Sequence, residues 1–135
     1  MEFTLPHTVE AGFDGLYGLV VTEVGDGLMR GEVAVRDDLL QPFGLVHGGV
    51  FSAVAETLAS TGTYLAVQES GRRVMGLSNQ TNFMRPITAG TVHGRARRIH
   101  AGRTTWIWDV ECCDDQGRVC AVARVTVAVR PRRGG

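Results

Sequence analysis

The 135-residue sequence contains no lysine, and all 14 of its basic residues are arginine. Without a lysine amine, the chain cannot form a Schiff base with a substrate. The 14 basic residues balance 14 acidic residues, so no net charge attracts the protein to nucleic acid or to an anionic membrane surface. Guanidinium groups bind phosphates and carboxylates through paired hydrogen bonds, so anion recognition is the chemistry that the arginines favour.

Long apolar runs are also missing. No stretch reaches the roughly 18 apolar residues of a transmembrane helix, and the first residues lack the basic and apolar regions of a signal peptide. We therefore expect a cytoplasmic protein. The three cysteines, Cys112, Cys113 and Cys120, lack CxxC spacing and are odd in number, so buried thiols are expected. No His, Cys and acidic residues have metal-ligand spacing, and neither a metal nor another cofactor is predicted.

The apolar residues that are present suffice for one folded unit. With 44% hydrophobic and 21% charged residues, the chain can fill the core of a single domain over residues 1–135. Two β-rich runs flank Gly25-Asp26-Gly27 and predict a hairpin, and apolar residues at helical spacing predict one long helix. The predicted strands are 16–24, 28–36, 74–85, 91–100, 104–113 and 118–129, and the predicted helix is 50–67. This order predicts an α+β fold in which an antiparallel sheet wraps around a single helix, with a core of about 16–129 and frayed ends.

Glu56 is the only charged residue between Val50 and Val67. A surface helix carries several charges on its outer face, so this helix is expected to be buried nearly all round. Positions two apart differ by about 200° around a helix, so Glu56 points away from the stripe formed by Val54 and Leu58. Small residues beside it leave space for another molecule or another subunit. Glu56 is therefore a candidate general base or nucleophile, and a carboxylate hydrogen-bonded within a dimer interface is the alternative.

His47-Gly48-Gly49 stands where the helix begins. The first N–H groups of a helix have no partner within it, and the positive end of the helix dipole lies there. Two glycines let a ligand approach this backbone, so the amides could stabilise an oxyanion; a simple tight turn is the alternative. Gln41 and His47 could hydrogen-bond a ligand or be satisfied polar side chains. Glu56, two turns further along, could act on the same carbonyl group.

A family resemblance rests on these residues. The segment Gln41-Pro42-Phe43-Gly44-Leu45-Val46-His47-Gly48-Gly49, followed by Ala55-Glu56 and Ser60, resembles the active-site segment of hotdog-fold acyl-CoA thioesterases of the phenylacetate-degradation (PaaI-like) type. The 4-hydroxybenzoyl-CoA and 1,4-dihydroxy-2-naphthoyl-CoA thioesterases are the relatives it is most similar to. The resemblance runs from about Leu16 to Val129 and includes Asn82-Phe83-Met84-Arg85-Pro86 and Gly102-Arg103-Thr104.

The resemblance implies a hotdog fold and hydrolysis of an aryl- or medium-chain acyl-CoA to free acid and CoA. It implies a homo-oligomer, at least a dimer and commonly a tetramer, in which a neighbouring subunit supplies part of the pocket. Glu56 would be nucleophile or general base, and the Gly48 N–H would polarise the carbonyl with help from Gln41. His47 would lie near the thiolate, and Ser60 would position water. Contacts to substrate and CoA are expected from Gly49, Arg85, Gly102, Arg103 and Thr104.

Two other interpretations stay open at this point. A non-catalytic acyl-CoA-binding or sensing module could keep the fold without turnover, although the joint presence of Gln41, His47, Glu56 and Ser60 argues against it. An enoyl thioester hydratase would need an Asp and His pair on the loop and helix, and Glu56 has no such Asp partner.

Overall fold

A computed structural model describes residues 11–133. Helix α1 spans Phe13–Tyr17 and helix α2 spans Gly48–Val67. The strands are β1 (Leu19–Gly25), β2 (Leu28–Ala34), β3 (Arg73–Phe83), β4 (Thr91–Ala101), β5 (Thr105–Cys113) and β6 (Val119–Arg130). Short 3₁₀ turns occupy Asp37–Leu39 and Gln68–Ser70. The order of the strands and the long helix is the predicted one.

All neighbouring strands are antiparallel, in the spatial order β1-β2-β4-β5-β6-β3. The predicted hairpin at Gly25-Asp26-Gly27 joins β1 and β2, and Gly27, with a φ of 73°, has the left-handed conformation that glycine adopts without strain. Strand β3 follows α2 in sequence but pairs only with β6 among the described residues, so it forms one edge of the sheet. The antiparallel sheet wrapped on one helix confirms the predicted α+β architecture.

The core lies between α2 and the inner face of the sheet. Gly62 lies so close to the fully buried Trp108 ring that a Cβ there would be 2.6 Å from Cη2. Glycine is therefore required at this point for the helix to approach β5. The Trp108 indole Nε1 donates to Thr63 Oγ1 (2.9 Å), and that hydroxyl donates to the Ala59 carbonyl (2.8 Å). The polar atoms carried into the core are thus satisfied.

The three cysteines are buried and free, as the sequence indicated. Burial raises the pKa of the Cys112 thiol to about 12, and the neighbouring Cys113 and Cys120 add to the shift. A thiol with so high a pKa stays protonated at neutral pH and is a poor nucleophile.

The start of the first strand was predicted wrongly. Residues 16 and 17 belong to α1, and β1 begins only at Leu19. Asp14 accepts hydrogen bonds from the Tyr17 hydroxyl (2.6 Å) and from Thr57 Oγ1 of α2 (2.7 Å), which pins this short helix onto the long one. Gly18, with a φ of 84°, then ends α1 in the left-handed conformation.

The surface beside β3 is less covered than the sequence indicated. Helix α2 was expected to be buried nearly all round, yet Ser52, Glu56 and Ser60 on one side are only half-buried within the chain. The adjoining edge strand exposes the apolar side chains of Met75 and Leu77. An unpaired strand edge with exposed apolar residues is typical of a surface that another chain covers.

The structure describes the ends of the chain only in part. The frayed ends were predicted partly at residues 1–10 and 134–135, which lie outside the described residues. Closer to the core, the Arg73 guanidinium donates to the Pro131 carbonyl (3.2 Å) and ties the start of the C-terminal tail to β3. Within residues 11–133, no helix is long and apolar enough to cross a membrane.

Candidate active site

The loop before α2 is held by the side chain of Gln41. Its Oε1 accepts hydrogen bonds from the backbone N–H of Phe43 (2.5 Å) and Leu45 (3.5 Å). The backbone closes the same loop, because Gln41 N–H donates to the Leu45 carbonyl (2.7 Å). With its carbonyl oxygen engaged, Gln41 keeps its NH₂ group as a donor for a ligand.

His47 caps the N-terminus of α2. Its Nδ1 accepts a hydrogen bond from the Gly49 N–H (2.8 Å), so the ring proton lies on Nε2. The Gly49 amide is thereby consumed inside the protein. By contrast, the Gly48 N–H has no acceptor among residues 11–133. Of the two glycine amides, Gly48 is the one free to donate to a substrate oxygen, at the positive end of the helix dipole.

An open cavity of about 600 Å³ lies at this end of α2. Five of the predicted site residues line it, and one of them, Arg85, is its one charged residue; the other four are Gln41, His47, Gly48 and Gly49. Apolar side chains, including those of Phe51, Phe83 and Met84, make up much of the remaining lining. The Phe83 ring packs directly on Gly48, where a Cβ would lie 2.8 Å from the ring. The cavity therefore combines neutral hydrogen-bond donors with an apolar wall.

Glu56 and Ser60 lie elsewhere on the helix. Glu56 follows Gly48 by eight residues, which is about 12 Å along a helix axis, and it does not line the cavity. Its carboxylate accepts hydrogen bonds from Ser60 Oγ to Oε2 (3.1 Å) and from Asn79 Nδ2 to Oε1 (3.3 Å). Among the described residues, no arginine or histidine nitrogen comes within 4.0 Å of it. Glu56 is thus a carboxylate held by neutral donors and without a cation.

Asn79 was not predicted from the sequence as part of the site. This residue lies in β3, and its amide also donates to the Ser52 carbonyl of α2 (3.0 Å). A polar side chain on a strand that packs against an apolar helix was the available signal. The alternation of residues along β3 did not show that Asn79 faces the helix, because a bulge shifts which residues point to each face of the strand.

The second predicted group, Gly102, Arg103 and Thr104, lies at the other end of α2. Arg103 and Thr104 line a basic cavity of about 390 Å³ beside Ser70, which follows the C-terminus of the helix. The 20 residues of α2 span about 30 Å. Within one chain, the structure therefore does not bring this group together with Arg85 and the helix N-terminus.

The chain is similar in sequence to known thioesterases. Residues 43–121 match the family described as the Thioesterase superfamily, a span that contains His47, Gly48 and Glu56. The chain belongs to the Thioesterase superfamily. Proofreading thioesterase EntH of Klebsiella pneumoniae is 38% identical over 112 residues, covering 83% of this chain and 81% of EntH.

Solved structures of other thioesterases share the fold. Thioesterase PA1618 of Pseudomonas aeruginosa superimposes with a TM-score of 0.87 at 35% identity, covering 91% of this chain and 88% of that one. Thioesterase HI1161 of Haemophilus influenzae gives a TM-score of 0.82 at 30% identity, covering 97% and 96%. This thioesterase therefore has the hotdog fold and is a thioester hydrolase.

Proposed function

We propose that the protein is an acyl-CoA thioesterase of the PaaI-like type, which hydrolyses an aryl- or medium-chain acyl-CoA to the free acid and CoA. The observation that carries the proposal is the unpaired Gly48 amide at the start of α2, facing a cavity with an apolar wall. Such an amide can hold the carbonyl oxygen while the wall accommodates the acyl group. A role in phenylacetate degradation and a cytoplasmic location remain predictions.

In the proposed mechanism, the Gly48 N–H and the Gln41 NH₂ donate to the thioester carbonyl oxygen. Negative charge develops on that oxygen when a nucleophile adds to the carbonyl carbon, so the donors stabilise the transition state more than the substrate. As general base, Glu56 takes a proton from water while the water oxygen forms the new C–O bond. The C–S bond then breaks and CoA leaves as thiolate, near the Nε2–H of His47. Nucleophilic attack by Glu56 itself is the alternative, with water hydrolysing the resulting anhydride.

A second copy of the chain is part of the proposal. Glu56 lies about 12 Å along α2 from Gly48, so the two cannot act on one carbonyl group within one chain. The uncovered face of α2 and the exposed edge of β3 border Glu56. Pairing of two β3 edges about a two-fold axis would set two α2 helices antiparallel, so the Glu56 of one chain approaches the helix N-terminus of the other.

The residues proposed to bind CoA are also separated within one chain. Arg85 lines the cavity at one end of α2, whereas Arg103 lies at the other end with Arg72, Arg130 and Arg132. No acidic residue lines the cavity that contains Arg103, which suits it to phosphate groups. We propose that Arg85 and the Gly102-Arg103-Thr104 turn reach one CoA molecule only when they come from different subunits.

The first test is release of the CoA thiol from phenylacetyl-, hydroxybenzoyl-, 1,4-dihydroxynaphthoyl-, hexanoyl- and palmitoyl-CoA, with Glu56→Ala as control. We expect hydrolysis of an aryl- or medium-chain substrate by the wild type and loss of turnover in the variant. Unchanged turnover in a folded Glu56→Ala protein would remove Glu56 from the mechanism. Binding of the esters without hydrolysis would favour the sensing module instead.

The second test asks whether each site uses two chains. Glu56→Ala and Gln41→Ala subunits, each expected to keep about a hundredth of wild-type turnover or less, are mixed under conditions that exchange subunits. In a mixed dimer with shared sites, one site contains the intact Gln41 of one chain and the intact Glu56 of the other. We therefore expect activity to return toward a quarter of the wild-type value in an equal mixture, because half the dimers are mixed and each has one of two sites intact. No recovery despite exchange would place both residues in a site within one chain.

A further inference from the structure

Strand β3 contacts the Glu56 carboxylate along a bulge. Gly76 pairs with Val127 and Ser78 pairs with Thr126, so Leu77 is the extra residue that has no opposite partner. In a regular strand, alternate residues share a face, which would put Gly76 and Asn79 on opposite sides. The extra residue shifts the alternation by one position, so both Gly76 and Asn79 face α2.

Gly76 provides the space that the carboxylate occupies. A Cβ built on Gly76 would overlap Glu56 Oε2 and lie 3.1 Å from Cδ. The Glu56 carboxylate therefore lies against the backbone of β3, where any other residue would place its side chain. The conflict involves only the end of a flexible side chain, so a larger residue at 76 would displace the carboxylate rather than prevent folding.

Asn79 and Thr81 fix the other side of the carboxylate. Asn79 Nδ2 donates to Glu56 Oε1 (3.3 Å) and to the Ser52 carbonyl (3.0 Å). Thr81 Oγ1 donates to Asn79 Oδ1 (2.8 Å), which orients the amide with its NH₂ toward Glu56. On the helix itself, Ser60 Oγ donates to Oε2 (3.1 Å). Each carboxylate oxygen thus has a neutral donor, and Oε2 also meets the wall formed by Gly76.

We propose that Gly76 and Asn79 are positioning residues for thioester hydrolysis, and that the bulge in β3 exists in this protein to aim the Glu56 carboxylate at its target. The inference rests on the proposed role of Glu56. A displacement of about 1 Å at a reacting group can reduce turnover about a hundredfold, while substrate binding depends on other contacts. Loss of positioning should therefore lower kcat and leave KM nearly unchanged.

The variants to compare are Gly76→Ala, Asn79→Ala and Thr81→Val. We expect kcat to fall about 100-fold for Gly76→Ala, about tenfold for Asn79→Ala and a few-fold for Thr81→Val, with KM within twofold of the wild type. Gly25→Ala is the matched glycine control, because a Cβ at that strand position meets nothing closer than 3.7 Å. Gln116→Ala is the amide control, since Gln116 is exposed in the turn between β5 and β6, away from β3 and Glu56.

Two double variants separate positioning from a general structural defect. In the Glu56→Ala background, Gly76→Ala should cause no further loss of turnover, because the residue acts through the carboxylate. In the Glu56→Asp background, the shorter side chain withdraws the carboxylate from Gly76, so adding Gly76→Ala should cost less than threefold. A crystal structure of Gly76→Ala should show the carboxylate moved by about 1 Å or more, with β3 and α2 in place.

The outcomes distinguish the two proposals. Full activity in Glu56→Ala would overturn the proposed role of Glu56, and this inference would fall with it. Loss of turnover in Glu56→Ala, together with Gly76→Ala and Asn79→Ala proteins that match their controls, would overturn only the positioning role. Equal losses from Gly76→Ala in the wild-type and Glu56→Asp backgrounds would also contradict it, as would an unmoved carboxylate in the Gly76→Ala crystal structure.

Discussion

The carboxylates of Glu56 and Asp114 have opposite electrostatic surroundings. Asp114, in the turn between β5 and β6, accepts hydrogen bonds from the backbone N–H groups of Gln116 (3.0 Å) and Arg118 (2.9 Å). The Arg118 guanidinium donates to its other oxygen at 2.7 Å. Burial alone would raise the pKa of Asp114, but these bonds and the guanidinium charge lower it overall. Glu56 receives only the neutral donors of Ser60 and Asn79.

We propose that this difference separates a structural carboxylate, Asp114, from a reactive one, Glu56. The charge of Asp114 is compensated by a cation and by backbone amides, so it holds a turn and has little basicity left for a reaction. Glu56 is oriented by neutral donors only. On the proposed mechanism, it is this carboxylate that accepts a proton from water or attacks the carbonyl group. The following changes test that contrast, beginning with the largest expected effect.

Glu56→Gln removes the charge and basicity of the side chain but keeps its shape and an oxygen for Asn79. We expect kcat to fall about 10²- to 10⁴-fold, the usual contribution of a general base. The melting temperature should change little, because no cation depends on Glu56. Steady-state kinetics and calorimetry on the same preparations check both expectations. A folded variant with more than a tenth of wild-type turnover would show that the uncompensated carboxylate is not the reactive group.

Gln41→Glu tests whether the carbonyl site requires neutral donors. One oxygen of the new side chain can still accept the bond from the Phe43 N–H, so the loop is kept. The NH₂ donor is lost, and a negative charge appears where the oxyanion would form. We expect kcat/KM to fall about 100-fold, as for removal of one oxyanion donor. Gln116→Glu adds the same charge in the exposed turn between β5 and β6 and should stay within twofold of the wild type.

Asp114→Asn should show the reverse of the pattern expected for Glu56→Gln, with a loss of stability and little change in turnover. The variant loses the ion pair to Arg118, and we expect its melting temperature at neutral pH to drop on the order of 5 °C while kcat changes less than twofold. The pKa of Asp114 is lower in the folded state than in the unfolded state, where it is about 3.9. Its contribution is therefore present above the unfolded pKa and is lost as the pH falls through the folded pKa.

Calorimetry from pH 7 down to pH 3 tests whether the stabilisation by Asp114 is lost as the pH falls. The difference in melting temperature between the wild type and Asp114→Asn should be largest near pH 7 and should shrink below about pH 4. A constant difference across that range would mean that the turn depends on packing rather than on the charge of Asp114.

The sequence predicted the strands, the long helix and the residues at the helix N-terminus because these depend on local patterns. Alternating apolar residues mark β5 and β6, and His47-Gly48-Gly49 marks a helix start whichever way the sheet is ordered. Features that depend on tertiary contacts were missed. Helix α1 forms because Asp14 meets Thr57, 43 residues away. Asn79 faces Glu56 only because of a bulge that no periodic pattern shows.

The resemblance implied a pocket shared between subunits, but the sequence did not show which predicted residues lie at which end of α2. Sequence order places Arg85 and Arg103 in neighbouring segments, yet they lie at opposite ends of α2. Strand direction and length decide this, because β4 carries the chain the full length of the sheet between the two residues.

The smallest effects are expected for substitutions of Arg85 and Arg103. These two residues extend the comparison of paired and unpaired charges from carboxylates to arginines. Arg118 and Arg124 each contact a carboxylate, whereas Arg85 and Arg103 have no acidic partner within 4.0 Å among the described residues. Exposed arginines without partners are free to bind phosphate, at a gain comparable to that of surface ion pairs. We expect Arg85→Ala and Arg103→Ala to raise KM for acyl-CoA about two- to fivefold and to leave kcat unchanged.

Salt and a truncated substrate make the arginine test specific. Added salt should raise the wild-type KM toward that of the variants, because exposed charges are screened. With an acyl-pantetheine substrate, which lacks the nucleotide phosphates, the wild type and both variants should have equal KM values. Arg124→Ala is the control, since its guanidinium is held by Asp109 at 2.6 Å and the pKa of Arg124 is raised by that contact. A KM increase for Arg124→Ala as large as for Arg103→Ala would show that lost positive charge, rather than an unpaired arginine at the phosphates, weakens CoA binding.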